Sequence, residues 1–335
     1  MRQPLSLVAT LVCVWMASAR AQESPRAVQI CPKPTKGDKF TLQIERTRSR
    51  TCGNGVPGSL LRLVDVEVLE PTPAGPVVSL ATRAVKLTGP GAEEAVRDPA
   101  LKALNDLVTR VPLHVTLSAD YEMIGLQNLE QVRRARDKAL DIAAEAMIQD
   151  PAERAKVRGA MRNLLASEQS ILQQFTREML PYFNVLGFSV PTGDPAKAQT
   201  QVQGPYDDEP LPATTVAEVQ SINEKAGEAS VVFRTTVDPS ALQKRLLAVI
   251  RRMAKETGVP PPREADVPLS RLKDETLVVV DLKTQWPRFV AHTRTLKDPA
   301  GTRTYRVTTH RLPAGSAFRK EPAATSQPVT QPGKP

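Results

Sequence analysis

The stretch KFTLQIERTRSR, residues 39–50, decides the fold. Phe40, Leu42 and Ile44 alternate with Thr41 and Gln43, the period-two pattern of a strand with one buried face. Arg46, Arg48 and Arg50 continue the same face, which therefore passes from apolar to strongly basic. Cys52-Gly53-Asn54-Gly55 then breaks the strand with turn residues. Two further β-rich runs, Ser59–Glu70 and Val77–Leu87, are separated by Pro71-Thr72-Pro73-Ala74-Gly75, which predicts an antiparallel meander. In the first of them Leu60, Val64, Val66 and Val68 fall on one side, and Leu61, Leu63 and Leu69 on the other. A sheet apolar on both faces needs helices on one and curvature or closure to shield the other.

Further along, Asp98-Pro99 opens a short helix, and Pro112–Ser118 with Tyr121–Leu126 form a hairpin. Two long helices follow, Asn128–Ile148 and Ala152–Leu180, joined at Asp150-Pro151. The second carries Val157, Met161, Leu164, Ile171, Phe175 and Met179 at helical spacing. Together residues 128–180 predict an antiparallel helical hairpin lying on a sheet face. Pro191–Pro212 reads as a long irregular loop. Strands resume at Thr214–Asn223 and Ala229–Val237. Asp238-Pro239 then starts an amphipathic helix over Ser240–Glu256, closed by Gly258. Glu275–Gln285, Arg288–Leu296 and Arg303–Leu312 are the final strands, and residues 313–335 read as a disordered tail.

The fold class is therefore α+β: an extended, curved antiparallel sheet packed by a long helical hairpin and one further amphipathic helix. Residues 22–312 form the domain, with sheet segments 39–126 and 214–312 that make one sheet or two. There is no regular β–α alternation and no G-x-G-x-x-G after a strand, which excludes a doubly wound nucleotide-binding fold.

The N-terminus carries an address. Arg2, the apolar run Leu5–Met16 and Ala19-Arg20-Ala21 make a secretory signal peptide over residues 1–21, too short to span a bilayer. The expected product is exported, periplasmic or secreted, and not an integral membrane protein. Cleavage removes Cys13 and leaves Cys31 and Cys52, an even pair that reads as one disulfide worth about 3 kcal/mol. The net charge is +9, and removing the two leader arginines leaves 43 basic against 36 acidic residues. Such a balance suits anionic envelope surfaces; with aromatics at 4% there is no stacking platform for nucleic acid.

No catalytic, metal or cofactor motif appears. His114, His292 and His310 lack ligand spacing, and the serines after Gly58, Phe188 and Gly315 lack the second glycine of G-x-S-x-G. Tyr206-Asp207-Asp208-Glu209 lacks the spacing of a calcium loop. Two basic features carry more. Arg46, Arg48 and Arg50, with Arg288 and Arg294 and with Arg303 and Arg311 near the edge, would form a basic rim around an apolar cleft, suited to an amphiphile with an anionic head. Lys244, Arg245, Arg251, Arg252 and Lys255 crowd the polar side of the third helix, a face suited to an anionic membrane.

Three stretches carry a resemblance: PLHVTLSADYEMIGLQNLEQV (residues 112–132), VVVDLKTQWPRFVAHTR (278–294) and TYRVTTHRL (304–312). In these the chain resembles uncharacterised secreted bacterial envelope proteins with a large, lipocarrier-like antiparallel sheet, although Ala119-Asp120 stands where a glycine would suit the turn better. The resemblance implies the sheet and no assigned activity. The expected function is that of a non-catalytic envelope protein binding a ligand or partner, such as an anionic amphiphile or lipid. The alternatives are a periplasmic assembly protein acting through its helical hairpin and tail, and an unrecognised hydrolase.

Overall fold

A computed structural model describes residues 27–50, 58–70, 72–90, 92–98, 102, 105–106, 109–164, 167–205, 210–258, 260–261, 263, 267, 269–298 and 301–319. The signal peptide, Cys52, Asp207-Asp208-Glu209 and residues from Lys320 onward lie outside them.

The strands are β1 (Ala27–Ile30), β2 (Lys39–Arg50), β3 (Ser59–Val68), β4 (Val77–Thr88), β5 (Leu113–Leu117), β6 (Met123–Leu126), β7 (Phe188–Pro191), β8 (Ala196–Gln203), β9 (Pro210–Asn223), β10 (Glu228–Val237), β11 (Arg271–Asp281), β12 (Pro287–Asp298) and β13 (Gly301–Pro313). The helices are α1 (Ala92–Arg97), α2 (Leu129–Met147), α3 (Pro151–Leu164), α4 (Glu168–Thr176), α5 (Leu180–Phe183) and α6 (Pro239–Thr257).

Eleven strands form one antiparallel sheet in the order β6-β5-β4-β3-β2-β13-β12-β11-β10-β9-β8. The two expected sheet segments are thus two meanders, β2–β6 and β8–β13, joined by pairing of β2 with β13 along the seam Phe40↔Pro313 to Arg50↔Arg303. One face, which we call inner, carries Phe40, Leu42, Ile44, Val64, Val66, Val278, Val290 and Val307, all buried. It is covered by the two-stranded ribbon β1-β7 and by the segment holding α4 and α5, whose Ile171, Leu172, Met179, Tyr182 and Phe183 join the same core. The chain between the meanders supplies most of this cover. Each buried large aliphatic side chain contributes about 1.5–3 kcal/mol, so the apolar end of β2 anchors the sheet.

Four expectations need correction. The helix read over Ala152–Leu180 is two helices, α3 and α4, and ends where the short α5 begins. Ser167 caps α4, accepting from the Ser170 N–H at 3.0 Å, and Pro181 at the start of α5 cannot continue an earlier helix. The hairpin is therefore α2 against α3, fastened by Asp141, which takes Arg158 at 3.1 Å and Arg162 at 3.4 Å. Pro191–Pro212 is not an irregular loop throughout: it holds β8 and the start of β9, paired from Ala196↔Ala217 to Gln203↔Pro210. Pro191 ends β7, Pro195 precedes β8 and Pro210 opens β9, positions that need no ladder N–H, while Pro212 sits inside the β8–β9 ladder opposite Gln201. Nor does residue 313 begin a disordered tail. Residues 313–319 turn onto the outer face, where Gly315 N–H donates to Thr41 Oγ1 and Arg319 N–H to Gln43 Oε1 (2.6 Å). Arg83 donates to the Gly315 and Ser316 carbonyls. Thr41 and Gln43 are consequently buried although they point away from the core.

Candidate functional site

Five arginines were expected to line one rim. The strand registers put Arg46, Arg48, Arg50 and Arg294 on the inner face, each in different surroundings, and leave Arg288 at the β11–β12 turn. On the inner face, Arg46 donates to Glu178 Oε1 at 2.6 Å, while buried Arg62 lies 3.6 Å from Glu178 Oε2. Arg62 also reaches Thr82 and the Phe175 carbonyl. Burial lowers the Arg62 pKa, Glu178 opposes that, and the charge of Arg46 adds to it. One carboxylate thus serves two guanidinium groups where the apolar part of β2 ends.

One pleat further along, Arg48 lies over the Tyr305 ring at 5.5 Å from its centroid, and Arg177, which follows α4, lies over the same ring at 5.8 Å. Neither makes an ion pair with a carboxylate among the described residues. The Arg48 pKa is lowered by burial and by the charges of Arg46 and Arg177. The Tyr305 hydroxyl is buried and has no hydrogen-bond partner among the described residues. Arg50 is exposed at the end of β2, opposite Arg303.

Tyr305 belongs to a polar row across the inner face. It pairs in register with Arg294, Arg294 with Asp274, Asp274 with Thr235 and Thr235 with Thr215. Arg294 grips both oxygens of Asp274, at 2.8 and 2.6 Å, and the Thr235, Thr215 and Thr200 hydroxyls form a chain at 2.8 and 2.9 Å. Arg294 is therefore a consumed partner rather than part of a rim. The row divides the main core from a smaller cluster of Leu211, Ala213, Val237, Leu242, Leu272 and Leu296.

Arg288 is elsewhere, at the β11–β12 turn. It holds Asp281 and Glu228 and edges an open groove of about 380 Å³. Val279, Phe289 and His310 line the groove along with Arg311 and Arg319. Phe289, Val279 and His310 are register partners, with the Phe289 and His310 rings 4.7 Å apart. Their neighbours Val290, Val278 and Thr309 are in the core, so strand alternation puts this trio on the outer face. Of the groove's arginines the sequence pattern marks Arg288 as rim and Arg311 as near its edge; Arg319, on the segment pinned by Gln43, carries no local signal.

His292 and His310 sit on neighbouring strands but on opposite faces, because His292 pairs with Val307 and His310 with Phe289. Burial lowers the His292 pKa, Asp274 raises it and Arg294 lowers it further, and His292 Nδ1 lies 2.9 Å from Thr276 Oγ1. Among the described residues no group of three His, Cys, Asp or Glu side chains is placed to hold a metal ion. Cys31 is half-buried with its sulfur 3.6 Å from the Phe188 carbonyl, and burial pushes the pKa of its thiol form up against a hydrogen bond from the Ile30 backbone. Its expected partner Cys52 lies outside the described residues.

On α6, Lys244, Arg251, Arg252 and Lys255 are exposed and Arg245 is half-buried. Of the apolar stripe of this helix, Leu242 and Leu246 are buried in the protein and Val249 is half-buried, while Met253 is exposed near its C-terminal end. No helix among the described residues is long and apolar enough to cross a membrane.

No protein-family model matches the sequence, and no curated protein matches it. A solved structure of lipovitellin, described in terms of lipid–protein interactions, is similar with a TM-score of 0.42 at 12% identity, over 85% of this chain and 26% of the lipovitellin chain. This chain therefore spans about a quarter of that protein's length.

Proposed function

We propose that this is an exported, non-catalytic binding protein of the envelope that takes an anionic amphiphile in the outer-face groove. The observation that carries the reading is the groove's composition, an apolar and aromatic floor of Val279 and Phe289 beside His310, edged by Arg288, Arg311 and Arg319, with one carboxylate, Glu228, paired to Arg288. Its volume of about 380 Å³ falls inside the range of roughly 300–1,000 Å³ common to small-molecule sites. Arg288 is held in place by Asp281 and Glu228, which preorganises one edge, while Arg319 adds a further positive charge to the lining. A ligand would lay its apolar part over Phe289 and its anionic head towards Arg319, since Arg311, the register partner of Leu42, points to the inner face. Export rests on the leader, and the basic side of α6 would bring the protein to an anionic surface by charge alone.

The experiment is native mass spectrometry of the protein expressed with its leader and purified from the oxidising compartment. The expected mass begins at Gln22, is lowered by the two hydrogens of a Cys31–Cys52 disulfide, and carries an added anionic amphiphile. Phe289→Ala with Arg319→Ala should lose the added mass. A bare protein mass for the wild type overturns the binding reading, and a mass retaining residues 1–21 overturns export.

A further inference from the structure

The inner-face cluster makes a demand that the outer groove does not meet. Four guanidinium groups, Arg46, Arg48, Arg62 and Arg177, gather where the apolar half of β2 ends, and one carboxylate, Glu178, stands among them. Both of its oxygens are engaged, one by Arg46 and the other by Arg62. In the adjoining row the only carboxylate is Asp274, held through both oxygens by Arg294. Arg48 and Arg177 are thus left with the Tyr305 ring as their shared contact. Two exposed arginines with nothing to bind would separate into solvent, since like charges repel and long side chains gain entropy by moving apart. Instead both rest over one ring, 5.5 and 5.8 Å from its centroid, close enough for the charge of Arg177 to act on Arg48.

We propose that Arg48, Arg177 and Tyr305 form a second binding site, specific for a tetrahedral or planar oxyanion group, a phosphate or carboxylate. Each guanidinium offers parallel N–H donors to such a group, and its negative charge balances the excess that Glu178 leaves. The ring holds the two forks in place, so little ordering remains to be done on binding. The site is independent of the proposed groove: it lies on the opposite face, about 17 Å away along β13 between Tyr305 and His310 at roughly 3.4 Å per residue. The same oxyanion chemistry is offered by free phosphate and by the headgroup of an anionic lipid.

The test is isothermal titration of the full mature protein with inorganic phosphate in one arm and a short-chain phosphatidic acid, below its micellar concentration, in the other. The expected result is one-to-one binding in at least one arm, weakened at least tenfold by Arg177→Gln and by Arg48→Gln. Both positions are exposed, so the ligand-free melting temperature should hold. Tyr305→Phe, which keeps the ring and removes only the buried hydroxyl, should leave binding within about twofold, whereas Tyr305→Leu should weaken it several-fold. Lys197→Ala, an exposed cation on β8, should leave it unchanged. Equal binding of both probes identifies the bare oxyanion as ligand; tenfold preference for the lipid identifies a headgroup. No binding in either arm, or binding that Arg48→Gln and Arg177→Gln leave intact, overturns the proposal. Phe289→Ala separates the two sites, since it should remove the amphiphile from the outer groove and leave phosphate titration unaltered.

Discussion

Arg288 donates two hydrogen bonds to the same oxygen of Asp281, at 2.9 and 2.6 Å, while the other Asp281 oxygen accepts the backbone N–H groups of Lys283 and Thr284 at 3.0 and 2.9 Å. The β11–β12 turn is closed by this carboxylate, and the groove edge is fixed by the guanidinium it holds.

That arrangement gives stability a defined dependence on acid. Burial acts to raise the Asp281 pKa, but the Thr284 N–H and the bonds and charge of Arg288 outweigh it and hold the pKa at about 2, against an ordinary 3.8. The folded-state pKa is depressed, so the stabilisation is complete above about pH 4 and disappears as the pH falls through 2. It amounts to about 2 kcal/mol. Urea unfolding at pH 6 and pH 2 should show the wild type losing about 2 kcal/mol more than Asp281→Asn, which starts less stable. Equal losses in the two proteins would contradict the assignment.

Glu178 is the counter-charge of a nearly buried arginine, with side-chain exposures of 9% for Glu178 and 8% for Arg62. Glu178→Gln strands that guanidinium and should cost about 3 kcal/mol in chemical unfolding. Adding Arg62→Met should restore part of the loss, because the uncompensated charge is then gone. A double variant less stable than Glu178→Gln alone would argue that the packing of the Arg62 stem matters more than its charge.

Tyr182 tests the link between the cover and the sheet. It is fully buried against Phe40 and Phe183 and donates its hydroxyl to the Pro287 carbonyl at 3.0 Å. Tyr182→Phe keeps the ring and leaves that carbonyl without its partner, so a loss of about 1–2 kcal/mol is expected from thermal unfolding. Tyr182→Ala should cost about 3–5 kcal/mol by opening a cavity.

Gly75 closes the β3–β4 turn by exchanging backbone hydrogen bonds with Thr72, at 2.8 and 3.0 Å. Its φ is +139°, and a Cβ there would collide with the Leu117 carbonyl of the neighbouring strand. Gly75→Ala should therefore destabilise by at least about 2 kcal/mol. Gly37→Ala is the comparison: its φ is +90°, but open space surrounds the added carbon, so strain alone gives a smaller melting shift.

How far the sequence could carry the fold depended on local signals. Lys39–Arg50 and α6 were readable because alternation or helical spacing is strong and the ends are marked, α6 by Asp238 and Gly258. β8 was missed because its half-buried positions are Ala196, Ala198, Thr200 and Val202, too small and too polar to make an apolar signal. The break at Ser167 was hidden because helical spacing resumes at Ile171, on the far side. The site suffered most. The arginine face of β2 was legible, but the partner of Arg46 is 132 residues away. What separates a consumed arginine such as Arg294 from one held on a ring such as Arg48 is set by register across the sheet, which no local pattern encodes.

The β2–β13 seam has a temporal consequence. Each meander, five strands on one side and six on the other, is built from neighbours in the chain and can form as soon as its strands exist. The seam joins the first long strand to the last and must wait until almost everything has been synthesised. Through that interval β2, central in the finished sheet, is an open edge that any passing chain could extend. The positive charges at positions 46, 48 and 50 keep strangers away from it until its own partner arrives.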